Sequence, residues 1–209
     1  MYNKHYMAFF GLFGGKKESE SVLGIDIGSS AIKIVQIKKK NGQAMLETYG
    51  ELALGPYGNG TIGQAVQLPG ERIAAAVADL MKEKEVNVTT KLAGISIPFA
   101  SSLMSVMELP DVGPKQLATM VPLEARKYIP VPINEVMLDW SVIPRPENTD
   151  EEIDNAIAGT KPVKKVDVLV VAIHNDTIAR YQEIVQKSGV SAGFFEIEIF
   201  STMRSVVDE

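Results

Sequence analysis

One stretch of this sequence sets a carboxylate, a pliable turn and a lysine at a spacing suited to phosphate: Gly24-Ile25-Asp26-Ile27-Gly28-Ser29-Ser30-Ala31-Ile32-Lys33. β-Branched residues crowd both sides of it, so Val22–Ile27 and Ala31–Lys39 are predicted as the strands of a hairpin turned by Gly28-Ser29-Ser30. A glycine followed by two hydroxyl residues places backbone N–H groups and side-chain hydroxyls around a small concavity that fits phosphate oxygens. Asp26, on the last residues of the first strand, would face like charge, which is electrostatically sensible only if Mg²⁺ and its waters lie between. Lys33, on the returning strand and pointing the same way, would supply the compensating positive charge. The same residues also make a plain hairpin with a Gly-Ser turn, and on spacing alone that plainer reading is the better one.

Other chemistry-bearing patterns fail on context. Gly58-Asn59-Gly60-Thr61-Ile62-Gly63 matches the dinucleotide-binding spacing, but that fingerprint must open a helix, and Gln67-Leu68-Pro69-Gly70 interrupts any helix begun at Gly63. A surface loop is expected there. Gly11–Lys17 is one residue too short for a phosphate-binding P-loop and carries Lys17 where Ser or Thr should stand. His5 and His174 have no companions at metal-site or triad spacing, so no catalytic residue is assigned. Asn87-Val88-Thr89 fits a glycosylation sequon, which has no meaning unless the chain is secreted. Trp140 alternates with Leu138 along a strand, which points to core.

Bulk composition narrows the classes. The chain has 209 residues, 45% apolar and 22% charged, as an ordinary globular protein does. Its formal charge is -5, and its lysines are dispersed except at Lys16-Lys17 and Lys38-Lys39-Lys40, so no basic stripe suggests nucleic acid. Cys is absent, which removes disulfides, thiolate catalysis and Cys-based metal sites, and makes the cytoplasm the easier compartment. No apolar run approaches the roughly 20 residues of a membrane-spanning helix. Residues 1–20 are expected to be a flexible tail, whose Met7–Phe13 segment ahead of Lys16 and Lys17 offers a weak peripheral membrane contact.

The elements that would position the turn follow from periodicity. A third strand, Ala44–Leu54, precedes a Gly- and Pro-rich loop and a helix from Glu71 to Glu85, with Ile73, Val77, Leu80 and Met81 on one face. Leu92–Pro98 reads as a buried strand. From Ser101 the pattern becomes strand (Leu103–Leu109), helical stretch (Pro114–Tyr128), strand (Val136–Ile143) and strand (Lys165–His174), with Pro144–Pro162 as a surface loop. Pro122 is expected to break the helical stretch. Asn175 or Asp176 can cap a further helix that Gly189 stops; Phe194–Phe200 is predicted as a strand and Ser201–Glu209 as the start of a helix.

The Gly24–Lys33 segment resembles the first phosphate motif of the actin, heat-shock chaperone and sugar-kinase superfamily. A second passage, Glu124-Ala125-Arg126-Lys127-Tyr128-Ile129-Pro130-Val131-Pro132 with Glu135-Val136 and Asp139-Trp140, resembles the helix-to-strand passage of PilM-type type IV pilus assembly proteins. The likeness runs from Val22 to Glu209. It implies an actin-like (ribonuclease H-like) subdomain over 21–100 plus 175–209, with an inserted strand-helix-strand-strand (SHS2) module over 101–174, as in PilM and the cell-division protein FtsA. It implies that Asp26 holds Mg²⁺ through water while Gly28, Ser29, Ser30 and Lys33 contact the phosphates of ATP. It also implies a cytoplasmic platform at the inner face of the membrane that binds the N-terminal peptide of a PilN-type membrane protein, with other pilus platform components as further partners. The groove residues for that peptide are not readable from the sequence. The family's second actin-like lobe, with its own phosphate loop and adenosine pocket, has no counterpart in these residues. Half of the nucleotide clamp is therefore expected to show little or no ATPase activity alone. An FtsA-like division protein and a sugar-kinase-type ATPase fragment are the alternatives.

Overall fold

Dense β-branched residues at the start of the chain become an antiparallel meander rather than an isolated hairpin. The computed structural model describes residues 21–144 and 164–206; the predicted tail at 1–20 and nearly all of the 144–162 loop lie outside them. Strands β1 (Ser21–Ile27), β2 (Ala31–Lys40) and β3 (Gln43–Ala53) pair antiparallel in sequence. Helix α1 (Gly70–Lys82) then returns the chain to β4 (Leu92–Ile97), which lies parallel to β1. Much later, helix α3 (Asn175–Ser188) leads to β8 (Ser191–Ile197), parallel to β4, and helix α4 (Glu198–Val206) follows. The sheet order is β3-β2-β1-β4-β8. A meander extended by two parallel crossovers is the actin-like, ribonuclease H-like arrangement.

Alternation sorts the faces of this sheet. Leu23, Ile25, Ile27, Ile32, Ile34, Ile95 and Ile97 are buried, as are Ile73, Val77 and Leu80 of α1 and Ile178, Ile184 and Val185 of α3. Met81, expected on the apolar face of α1, is only half-buried, and the helix stops at Lys82 because Glu83 is already extended (ψ 121°).

Between β4 and α3 the chain forms a second sheet. Strand β5 (Ser102–Pro110), helix α2 (Pro114–Ala125), strand β6 (Val136–Ile143) and strand β7 (Lys165–His174) follow in that order. The three strands are antiparallel in the order β5-β7-β6. Contacts divide the described chain into two compact units, Ser102–Asn175 and the flanking residues 21–101 with 176–206. The inserted unit has the strand-helix-strand-strand order, with Met107, Leu109, Leu117, Val121, Val168 and Val170 in its core and Leu138 and Trp140 packed against it.

Two expectations need correction. Pro122 does not break α2; the helix runs through it to Ala125. Proline removes one N–H, but Leu117, Val121 and Ala125 lie on one face and are all buried, and that packing holds the helix together. The segment Phe194–Phe200 is not one strand: β8 begins at Ser191 and ends at Ile197, and α4 starts at Glu198. The partner strand explains the stop. Ile197 pairs with Ile97, and the next residue of β4's chain is Pro98, which has no N–H to continue the ladder.

Candidate functional site

The turn between β1 and β2 is held from behind. Gly28 N–H donates to the Ala31 carbonyl at 3.0 Å, and a Cβ on Gly28 would sit 3.0 Å from that same oxygen, so a side chain there would press on the turn. The Ser29 carbonyl accepts from Val66 N–H at 3.0 Å and the Ser30 carbonyl from Leu54 N–H at 2.8 Å. With both carbonyls tied to the protein, the N–H groups and hydroxyls of Ser29 and Ser30 have no partner among the described residues. Ser29 is exposed and Ser30 half-buried. Donors are thus presented at a fixed turn with their acceptors withdrawn, which is the chemistry of an anion cradle.

Asp26 and Lys33 are cross-strand partners, so their side chains stand on one face of the sheet. They form no ion pair with each other. Asp26 is half-buried and its Oδ1 accepts from Ser96 Oγ at 2.5 Å. Lys33 is exposed. The register carries this polar row across the whole sheet: Glu51 on β3 faces Lys33, Asp26 adjoins Ser96, and Ser96 is the partner of Glu196 on β8. Glu196 is 3% exposed; Arg204 of α4 donates to its Oε2, while its Oε1 has no partner among the described residues.

One row back, Val35, Gly24, Gly94 and Phe194 form an apolar floor. Gly94 is required there, because a Cβ would come within 2.3 Å of the Phe194 ring that lies across it. Floor and polar row together line a cavity of about 370 Å³ that includes Asp26, Lys33, Ser96, Glu196 and Arg204.

All five residues singled out from the sequence, Asp26, Gly28, Ser29, Ser30 and Lys33, therefore lie on one hairpin at one end of one sheet. Among the described residues no three His, Asp or Glu side chains gather to cage a metal ion. A single carboxylate with one open oxygen suits a hydrated Mg²⁺, which keeps most of its waters and shares phosphate oxygens. Ser96, Glu196 and Arg204 were not foreseen. Alternation along Leu92–Pro98 could have put Gly94 and Ser96 on one face, but only the parallel register of β4 with β1 brings Ser96 to Asp26. Gly58 closes a short 3₁₀ turn (Gly55–Gly58), Gly60 and Gly63 lie in the loop after it, and none of them opens a helix. His174 is exposed at the end of β7.

Residues 24–208 match the sequence profile of a family described as the type IV pilus assembly protein PilM. The chain belongs to that family. Among solved structures, this PilM-family chain is similar to one described as the PilM-PilN type IV pilus biogenesis complex, with 21% identity over 88% of this chain and 49% of that one and a TM-score of 0.66. It is also similar to the cytoplasmic domain of EpsL, an inner membrane component of the type II secretion system of Vibrio cholerae, at 11% identity over 87% and 59% of the two chains, with a TM-score of 0.51. The chain spans about half of the first, 49%, and 59% of the second. At these identities the likeness is one of fold, and that fold is actin-like.

Proposed function

We propose that this PilM-family chain is a cytoplasmic platform of type IV pilus assembly that docks the N-terminal peptide of a PilN-type membrane protein. The observation that carries the reading is the family match along nearly the whole described chain, residues 24–208. The fold shared with a PilM in complex with PilN adds to it. The inserted module offers surface for an apolar peptide. Its core-facing residues alternate with Val106 on β5 and Met137 on β6, which are 53% and 43% exposed on the face that α2 does not cover. Exposed apolar side chains on a rigid sheet are the usual anchor for an extended or helical peptide. The expected site is the inner face of the cytoplasmic membrane, where such a partner's N-terminus emerges; no helix of the described residues is long and apolar enough to cross a membrane.

The same reading gives the β1–β2 turn to ATP. Asp26 would hold Mg²⁺ through water, Gly28, Ser29 and Ser30 would donate to phosphate oxygens, and Lys33 would offset their charge. Bound Mg²⁺ supplies charge neutralisation between Asp26 and the phosphates. A site using only this hairpin forgoes a second set of charge-assisted hydrogen bonds, each contributing about 1.5–3 kcal/mol, so nucleotide affinity of these residues alone is weak.

Calorimetric titration with a synthetic peptide of the PilN N-terminus from the same genome tests the platform. A saturable signal that weakens at least about tenfold in Val106→Glu or Met137→Glu, as loss of a buried apolar anchor would produce, supports it. A flat trace with the unaltered chain would falsify it.

A further inference from the structure

Across the sheet face that carries the turn, the polar row contains one hydroxyl between two carboxylates. Ser96 is the register partner of Glu196 on one side and adjoins Asp26 on the other. A serine has a single proton to give. The structure gives it to Asp26: Ser96 Oγ lies 2.5 Å from Asp26 Oδ1, while Glu196 Oε1 stays without a partner among the described residues. Glu196 is instead answered through its other oxygen by Arg204 of α4. Its charge is thereby offset through Oε2 alone, and the serine's proton still goes to Asp26.

From this arrangement we infer that Ser96 is a positioning residue for Asp26, fixing that carboxylate so that its remaining oxygen accepts hydrogen bonds from the waters of a divalent cation. The inference rests on the nucleotide reading proposed above. A free aspartate at a strand end samples several χ1 and χ2 values, and only some aim an oxygen at the turn. A hydrogen bond to Oδ1 removes that freedom and leaves Oδ2 as the open acceptor; Asp26 has no other partner among the described residues. The neighbourhood supports the assignment. Ser96 and Asp26 are both half-buried in the wall of the same cavity, so the bond is partly shielded from competing water. Lys33, which could have held Asp26 by charge, makes no ion pair with it and remains available to an anion. Partners that orient a metal-facing group typically change metal affinity by about 10–100-fold when removed.

Two readouts on the full chain test this. Carbon-13 labelling of the aspartate carboxyls reports the Asp26 signal directly, without any ligand. In Ser96→Ala that signal should shift while the other aspartates stay put, and Ser96→Thr, which keeps the hydroxyl, should restore it. Titration with ATP, with and without MgCl₂, then gives the gain in affinity that Mg²⁺ confers. That gain should fall about tenfold in Ser96→Ala, with metal-free ATP binding unchanged, and recover in Ser96→Thr. An unmoved Asp26 signal, or an equal Mg²⁺ gain in Ser96→Ala and the unaltered chain, overturns the positioning role. Absence of any Mg²⁺ gain in all three chains, with the Asp26 signal shifting as expected, overturns the nucleotide reading instead.

Discussion

The two units handle polarity in opposite ways. In the inserted module every buried side chain of the core is apolar, from Met107 and Leu109 on β5 through Leu117 and Val121 on α2 to Val168 and Val170 on β7. The five-stranded unit buries Gln36, at 1% exposure, and Glu196, at 3%. Burying a polar group is costly unless hydrogen bonds replace its water. Gln36 achieves that fully: its Nε2 donates to Glu47 and to Thr89 Oγ1, each at 2.7 Å, and its Oε1 accepts from Thr89 N–H at 2.9 Å. Glu196 achieves it only in part. The module is thus organised for packing and for the surface it presents, whereas the five-stranded unit keeps a polar row beside its turn at some cost in stability. Of the two, only Glu196 lines the cavity that also holds Asp26, so its incomplete satisfaction is the one that bears on the nucleotide site proposed above.

The comparison is broken most directly by making the module's core polar. Val121 is 0% exposed against β-sheet residues of the same core, and Asn in its place would lose apolar contact and leave an amide without partners. Val121→Asn should destabilise the module by about 3 kcal/mol or more. Hydrogen exchange is the measurement: protection should collapse in β5, α2, β6 and β7 and persist in β1, β4 and β8. Uniform loss across both sheets would show that the two cores are one cooperative structure and that the contrast drawn between them has no energetic content.

The converse substitution tests the five-stranded unit. Gln36→Leu removes three hydrogen bonds at once and strands the Thr89 N–H, so stability should drop by about 1–3 kcal/mol in chemical denaturation at neutral pH. The acid limb should change as well. Hydrogen bonds from Ser21 and then Gln36 hold the Glu47 carboxyl below its ordinary 4.5. A depressed carboxylate adds stability above its unfolded pKa and loses it as pH falls through the folded value. With Gln36 gone, that loss below pH 4.5 should be shallower. An unchanged acid limb would mean that Ser21 and the Lys38 charge, without Gln36, hold the Glu47 carboxyl low.

How much of this was legible depended on whether the deciding interaction was local. The β1–β2 hairpin could be read because β-branched runs and a Gly-Ser-Ser turn are local signals, and Gly189 could be read as a stop because helix ends are closed locally. Its N–H indeed returns to the Gln186 carbonyl and that of Val190 to Val185, closing α3. The misses share a different cause. Pro122 is tolerated because of buried neighbours on α2 that become a core only when the three strands assemble. The end of β8 at Ile197 is imposed by Pro98, about a hundred residues earlier in sequence, a ladder effect that periodicity does not carry. Ser96 reaches Asp26 only through parallel register between β4 and β1, which no alternation pattern within one strand specifies. Sequence therefore located the turn between β1 and β2, but not Ser96, which hydrogen-bonds the carboxylate beside it.

The smallest effect at neutral pH should come from two phenols of the five-stranded unit, and it becomes visible only in alkali. Tyr57 and Tyr181 are both pushed up to about 12. For Tyr57 the main cause is desolvation, followed by its hydrogen bond to Asp79 Oδ2 at 2.7 Å; for Tyr181, on the buried face of α3, it is again desolvation, with Arg180 opposing and Asp26 and Glu198 adding to it. The fold favours the neutral phenol, so each tyrosine contributes stability in full below its unfolded value of 10, and that contribution is lost as pH rises toward about 12. Spectrophotometric titration at 295 nm should therefore show a late ionising group that disappears in Tyr57→Phe and another that disappears in Tyr181→Phe. Because Asp26 and Glu198 raise Tyr181 through their charge, Asp26→Asn should make the Tyr181 phenol ionise earlier and leave Tyr57 alone. If Asp26→Asn moves neither, the field of the Asp26 carboxylate does not extend into α3, and the polar character of this unit is confined to the sheet face that carries Asp26 and Lys33.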